Sequence, residues 1–157
     1  MDKRAWTGYN TAMPIAFFTA VSVQLVCQLT KFIAYSIRDK KFTPSYLATA
    51  GGMPSAHSAF VSSLTTYVAL AEGTSGPWFS VSLVFALIVM YDAFRLRGYV
   101  QRHAESINII REELSSQLKD KIPRHSEMVG HSLMEVASGG ILGAGWAWLI
   151  WHLLPGV

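Results

Sequence analysis

Apolar residues arrive in four long stretches with polar segments between them. Crossing the hydrocarbon of a bilayer as a helix takes about 20 mostly apolar residues. Thr11 to Ile37 is long enough to do so with tilt, Trp78 to Phe94 is the cleanest run, and Leu133 to Leu154 is broken only by Glu135. Pro54 to Ala71 is weaker, because His57, four serines and two threonines lie within it; such a helix belongs inside a bundle, not against lipid. Gly73 to Pro77 predicts a tight turn into the third helix. The stretch from Arg95 to His131 is polar, with an amphipathic piece from Ile107 to Leu118 expected to lie on the membrane surface or to cap the site. The pattern predicts an all-α integral membrane bundle of about four transmembrane helices with a polar cytoplasmic loop, as one domain over residues 1–157.

Composition agrees with that reading: half of the residues are apolar and only 15% are charged, too oily for an ordinary soluble domain. The first apolar stretch runs past the length of a signal-peptide core and is expected to be retained. A lone Cys27 inside it permits no intramolecular disulfide. Eleven of the thirteen lysines and arginines fall at the end of stretch one, between stretches one and two, or between three and four. The positive-inside rule puts both of those loops in the cytoplasm and the termini outside, in a plasma or inner cell membrane. These basic residues flank apolar segments without interleaved aromatics, so nucleic acid is not an expected partner. Gly139, Gly140, Gly143 and Gly145 form a small-residue ridge suited to close helix approach, and Trp146, Trp148 and Trp151 read as anchors at the outer interface.

The unusual polar residues gather at the same helix ends. Lys31 and Arg38 end the first helix, Gly51 to His57 opens the second, Asp92, Arg95 and Arg97 close the third, and Gly130, His131 and Glu135 open the fourth. Cations around a helix N-terminus make an anion site. Gly51 and Gly52 let backbone approach a ligand, Pro54 suits a first helical turn, the amides that follow point at an oxyanion, and Ser55 adds a hydroxyl. Arginine gives planar, bidentate donation to phosphate oxygens and lysine a point charge. His131 and Glu135, four apart, share a helix face, where the carboxylate holds the imidazole tautomer and makes it a better nucleophile. His57 is then left to protonate a leaving alkoxide. Each piece also has a plainer explanation: a loop leading into a cap for Gly51 to Ser55, an interhelical hydrogen bond for His57, topology and headgroup contacts for Arg95 and Arg102. No metal site and no cofactor are expected, since there is no Cys cluster and no His-Glu-x-x-His pattern.

Three motifs in order, Gly51-Gly-Met-Pro-Ser-Ala-His-Ser58, Tyr91-Asp92-Ala93 with Arg97, and Val129-Gly130-His131-Ser-Leu-Met-Glu135-Val136, resemble the divergent branch of the type 2 phosphatidic acid phosphatases, related to acid phosphatases and vanadium haloperoxidases. The resemblance runs from about Phe18 to Leu149. The wider superfamily carries Lys-x6-Arg-Pro, Pro-Ser-Gly-His and Ser-Arg-x5-His-x3-Asp elements at one end of an all-α bundle. Lys31 and Arg38 match the first spacing, with Asp39 in place of its proline. Ala56 replaces the glycine of the second, and the third is split, with Arg97 far from His131 and Glu135 where the aspartate would be. A rival register pairs Arg97 with His103, but Ile107 then stands where the acid should be, so His131 is preferred.

That resemblance implies a metal-independent hydrolase with His131 as the nucleophile of a phosphohistidine intermediate, His57 as acid, and Lys31, Arg38 and Arg97 as a phosphate clamp. Gly52 and Ser55 would add phosphate contacts, and Asp92 support. The expected substrate is a lipid phosphomonoester or pyrophosphate, with phosphatidylglycerophosphate, phosphatidic acid and polyprenyl pyrophosphate as candidates, handled on the cytoplasmic side. Membrane lipids are expected partners, and a homodimer along the glycine ridge is expected to complete the bundle. The competing expectation is a non-catalytic membrane protein, a scaffold for anionic lipids or a small transporter, in which the same cations hold headgroups without cleaving them.

Overall fold

The computed structural model describes residues 3–44, 51–127 and 129–154. Every regular element among them is helical: α1 (Lys3–Asp39), α2 (Ala56–Glu72), α3 (Pro77–Tyr91), a π-helical turn (Asp92–Leu96), α4 (Arg97–Glu112), the short α5 (Ser116–Lys119) and α6 (Leu133–Leu153). The helix ends carry the expected punctuation. Ser55 caps α2 by accepting from the Ser58 amide, Gly73 at φ 78° stops it, and Pro77 starts α3 after Gly76. At α6 Ser132 and Glu135 form a reciprocal capping box.

Among the described residues, three stretches are long and apolar enough to cross a membrane: Pro14–Asp39, Pro77–Glu112 and Leu133–Leu153. The fourth expected span is α2, only 17 residues long, and its place explains its polarity. It is the central helix, packed against α1, α3 and α6, and Ser55, Ser58 and Ser63 on it are fully buried. Thr65 donates to the Val61 carbonyl and also lies 3.1 Å from the Ser82 carbonyl of α3, so its hydroxyl is satisfied without water. The outward faces of α1 and α3 carry Phe17, Phe18, Leu25, Val84, Leu87 and Ile88, all well exposed, a surface that only lipid would cover without cost.

The glycine ridge sets how closely α6 approaches α2. A Cβ at Gly139 would lie 2.3 Å from the Ser55 carbonyl oxygen, and one at Gly143 would lie 2.1 Å from that of Ala59. Both glycines are therefore occupied within the chain, and a dimer contact along the ridge cannot run through them; Gly145, with nothing within 4 Å, faces outward. Two of the three expected tryptophan anchors also turn inward. Trp146 donates to Ser22 of α1 at 2.8 Å and Trp151 packs edge-on against Tyr67 of α2, whereas Trp148 is exposed.

The polar segment after α3 differs from expectation. The amphipathic piece near Ile107 to Leu118 is divided between two elements: α4 continues from α3 through the π turn and breaks after Glu112, leaving α5 as a separate short helix. Counting about 20 residues of hydrocarbon thickness from Pro77 brings the π turn to the membrane boundary, so α4 projects beyond it. The chain then returns along α4 to the start of α6, where Glu127 and Gly130 border the same cleft as Tyr35 of α1 and Gly52 ahead of α2.

Candidate active site

Lys31 lies on the inner face of α1, just 1% exposed, one turn beyond the buried Cys27. Its Nζ has no hydrogen-bond partner among the described residues, and neither have His57 Nδ1 nor His131 Nε2, all three buried. A buried polar atom without a partner costs on the order of 1–3 kcal/mol, and three such nitrogens in one place are not explained by packing. The two imidazole rings stand edge to face with centroids 6.4 Å apart, close enough for one phosphate group to touch both. Lys31 and Arg97 act electrostatically on both rings, and Asp92 acts on His57.

The π turn brings Arg97 into this group. Residues five apart on an α-helix lie roughly 140° apart around its axis, yet Arg97 Nε donates to Asp92 Oδ2 at 3.0 Å. The widened turn, in which the Arg97 amide bonds to the Asp92 carbonyl, puts the two on one face. The same segment offers the Ala93 carbonyl to the His131 amide at 3.2 Å, joining α3 to the residue that precedes the α6 cap.

His131 is held from two sides. Its Nδ1 lies 3.2 Å from Glu135 Oε2, and that oxygen also accepts from the Ser132 amide at 2.8 Å. With the capping box fixing the carboxylate, the assignment that satisfies it is Nδ1–H donating to Glu135, which leaves the lone pair on the unpartnered Nε2. Burial holds the His131 imidazole below the ordinary value of about 6.5; the Glu135 hydrogen bond and charge oppose that, while Lys31 and Arg97 add to it. The ring is thus neutral near pH 7, the form a nucleophile needs.

Not every expected contact joins the cluster. Arg38 is 66% exposed at its side chain, pairs with Asp39 at 2.7 Å and lies over the Tyr35 ring. Asp39 stands where the resembled element has proline, and it holds the guanidinium at the rim. Ser55 is fully buried, but its Oγ is engaged as the α2 cap, accepting from the Ser58 amide and lying 3.1 Å from the Ser58 hydroxyl; its own amide donates to the Glu135 carbonyl. Gly52 has φ 88°, and a Cβ there would lie 1.9 Å from the Tyr35 hydroxyl, so only glycine fits beneath that ring. His103 sits exposed on α4, away from the buried pair.

A cleft of about 450 Å³ opens beside His131 and Glu135, bordered also by Tyr35, Gly52, Gln101 and Glu127. Tyr35, Gln101 and Glu127 were not singled out from the sequence. Tyr35 was within reach, since it is four residues from Lys31 on the same helix face. Gln101 and Glu127 carried no comparable spacing signal. Among the described residues, no three His, Cys, Asp or Glu side chains gather so as to hold a metal ion.

Compared with known proteins, residues 13–146 match the model of the family described as the Divergent PAP2 family. The chain is 32% identical to the uncharacterized membrane protein YuiD of Bacillus subtilis (strain 168) over 136 residues, 80% of this chain and 86% of that protein. No solved structure matches.

Proposed function

Since the chain belongs to the divergent PAP2 family, we propose that it is a membrane-embedded lipid phosphatase that hydrolyses a phosphomonoester or pyrophosphate of a lipid through a phosphohistidine intermediate. The observation that carries this reading is the trio of buried, unpartnered nitrogens, Lys31 Nζ, His57 Nδ1 and His131 Nε2, beside Arg97. A phosphate bound among them accepts from Lys31 Nζ and from a protonated His57 Nδ1 and presents its phosphorus to the lone pair on His131 Nε2, with Lys31 and Arg97 balancing its charge.

In the first step His131 Nε2 attacks phosphorus, the P–N bond forms as the P–O bond to the lipid breaks, and His57 gives its proton to the departing oxygen. Glu135 keeps Nδ1–H bonded while positive charge grows on the ring. In the second step water attacks the phosphohistidine, His57 takes the water's proton, and inorganic phosphate leaves Nε2 restored. Asp92 holds Arg97 against the phosphoryl oxygens, whose charge rises along the way. The placement of the cationic helix ends on the cytoplasmic side, with substrate drawn from that leaflet, rests on the positive-inside bias.

The test is phosphate release by purified protein from phosphatidylglycerophosphate, phosphatidic acid and polyprenyl pyrophosphate, beside His131→Ala and His57→Ala. Release from at least one lipid, abolished in His131→Ala and slowed in His57→Ala, is expected. Activity that survives His131→Ala sinks the nucleophile assignment. Binding of anionic lipid without release from any of them favours the scaffold.

A further inference from the structure

Between α5 and α6 the chain runs back along α4 as a strap, antiparallel to it, and its contacts fall in order. Arg111 Nε donates to the Ile122 carbonyl at 2.7 Å, Asn108 exchanges bonds with both backbone groups of His125 at 2.8 and 2.9 Å, and Gln101 Oε1 accepts from the Gly130 amide at 3.2 Å. The strap then ends on the His131 amide bonded to the Ala93 carbonyl at 3.2 Å. Gln101, Asn108 and Arg111 are spaced to share one face of α4.

Asn108 is the most committed of the three. It is 5% exposed, and its Nδ2 also donates to Glu127 Oε1 at 2.7 Å, so both amide protons and the carbonyl are in use. Gly130 directly precedes His131, and a Cβ on it would lie 2.9 Å from the Gly98 Cα, so backbone meets backbone at that point.

We infer that this face of α4 positions the nucleophile: Asn108, with Gln101, fixes the strap and thereby sets where His131 Nε2 stands relative to Lys31 and Arg97. The inference rests on the phosphatase reading for its kinetic consequence. Asn108 touches no substrate; it is a positioning residue, and its loss lets the strap shift without removing any group from the site. A displacement near 1 Å at a reacting atom costs on the order of 10²-fold in rate.

The experiment uses the full chain in lipid nanodiscs and compares wild type, Asn108→Ala and Gln101→Leu in kcat, KM, vanadate affinity and phosphate affinity. Vanadate needs an axial bond from His131 Nε2 to complete its five-coordinate form, whereas inorganic phosphate needs only the cations. Expected for both variants is a kcat lowered on the order of 10²-fold, vanadate affinity lowered in parallel, and KM and phosphate affinity near the wild-type values. Unchanged kcat and vanadate affinity overturns the inference, and so does equal loss of vanadate and phosphate, the mark of a merely structural role. Should Asn108→Ala not fold, Gln101→Leu decides by the same criteria. Wild-type protein inactive on every lipid counts against the phosphatase reading, while the anion comparison, read by binding, still decides the positioning of His131.

Discussion

Adding one methyl group at Gly143 should damage the site from a distance. A Cβ there would stand 2.1 Å from the Ala59 carbonyl oxygen and 2.8 Å from that residue's Cα, where ordinary contact begins at 3.4 Å. The opposing atoms are helix backbone and cannot swing aside, so α6 and α2 must part by roughly 1 Å. Overpacking of this kind costs about 1–3 kcal/mol, against which alanine's better helix propensity returns up to about 1 kcal/mol. A net loss on the order of 1–2 kcal/mol is expected for Gly143→Ala. The kinetic loss should be larger, because α2 carries His57 and α6 carries Glu135, and moving one against the other by about 1 Å costs on the order of 10²-fold in rate. Gly145→Ala is the control: nothing lies within 4 Å of its Cβ position, so it should unfold no earlier than wild type and keep its rate. Thermal unfolding in lipid nanodiscs and phosphate release read both effects. Gly143→Ala with wild-type unfolding and rate, or Gly145→Ala as damaging as Gly143→Ala, would refute the packing argument.

Activity should fall on the acid side as pH drops through the His131 value, because protonating Nε2 removes the nucleophilic lone pair; with burial holding that value below about 6.5, the limb lies in acid. Glu135 raises it, so Glu135→Gln should move the limb to lower pH while lowering kcat at its plateau, and a limb that moves upward in a pH–rate profile would contradict the pairing. Lys31→Met should abolish vanadate binding yet raise the unfolding temperature, because it replaces a buried amine without a partner by an apolar chain of similar length; a lowered unfolding temperature would mean that Lys31 is a structural tie. Gly52→Ala should destabilise by about 1–3 kcal/mol from its positive φ alone, and more through the Tyr35 hydroxyl 1.9 Å from the new Cβ. Truncating Tyr35 to leucine in the same protein should recover only the steric part in thermal unfolding; full recovery would place the cost entirely in the clash.

Much of the architecture was legible from hydropathy because the bilayer imposes it: an apolar helix of about 20 residues has few other places to go. The polarity of Pro54 to Ala71 correctly marked α2 as the interior helix, since hydroxyls such as those of Ser55, Ser58 and Ser63 are better buried between helices than set against lipid. His131 and Glu135 were readable because spacing of four on a helix is a local rule, and the structure adds that Glu135 is also the capping-box carboxylate. The π turn was not readable. Nothing in Asp92-Ala-Phe-Arg-Leu96 announces a widened turn, and only that turn puts Arg97 beside Asp92. Neither was the strap, whose course depends on Asn108 meeting His125 and Glu127, bonds 17 and 19 residues apart in sequence with no periodic signature. Arg38 matched its expected spacing, and its pairing with Asp39 at the rim was not readable from that spacing.

The phosphohistidine itself is the most direct test of the central claim. Purified wild-type protein is mixed with phosphate-labelled lipid, quenched within a turnover in alkali, where phosphoimidazole survives, and digested for mapping. Label is expected on the peptide that carries His131, absent in His131→Ala and formed more slowly in His57→Ala. Phosphate released at the wild-type rate with no label on His131, or label retained in His131→Ala, would contradict it.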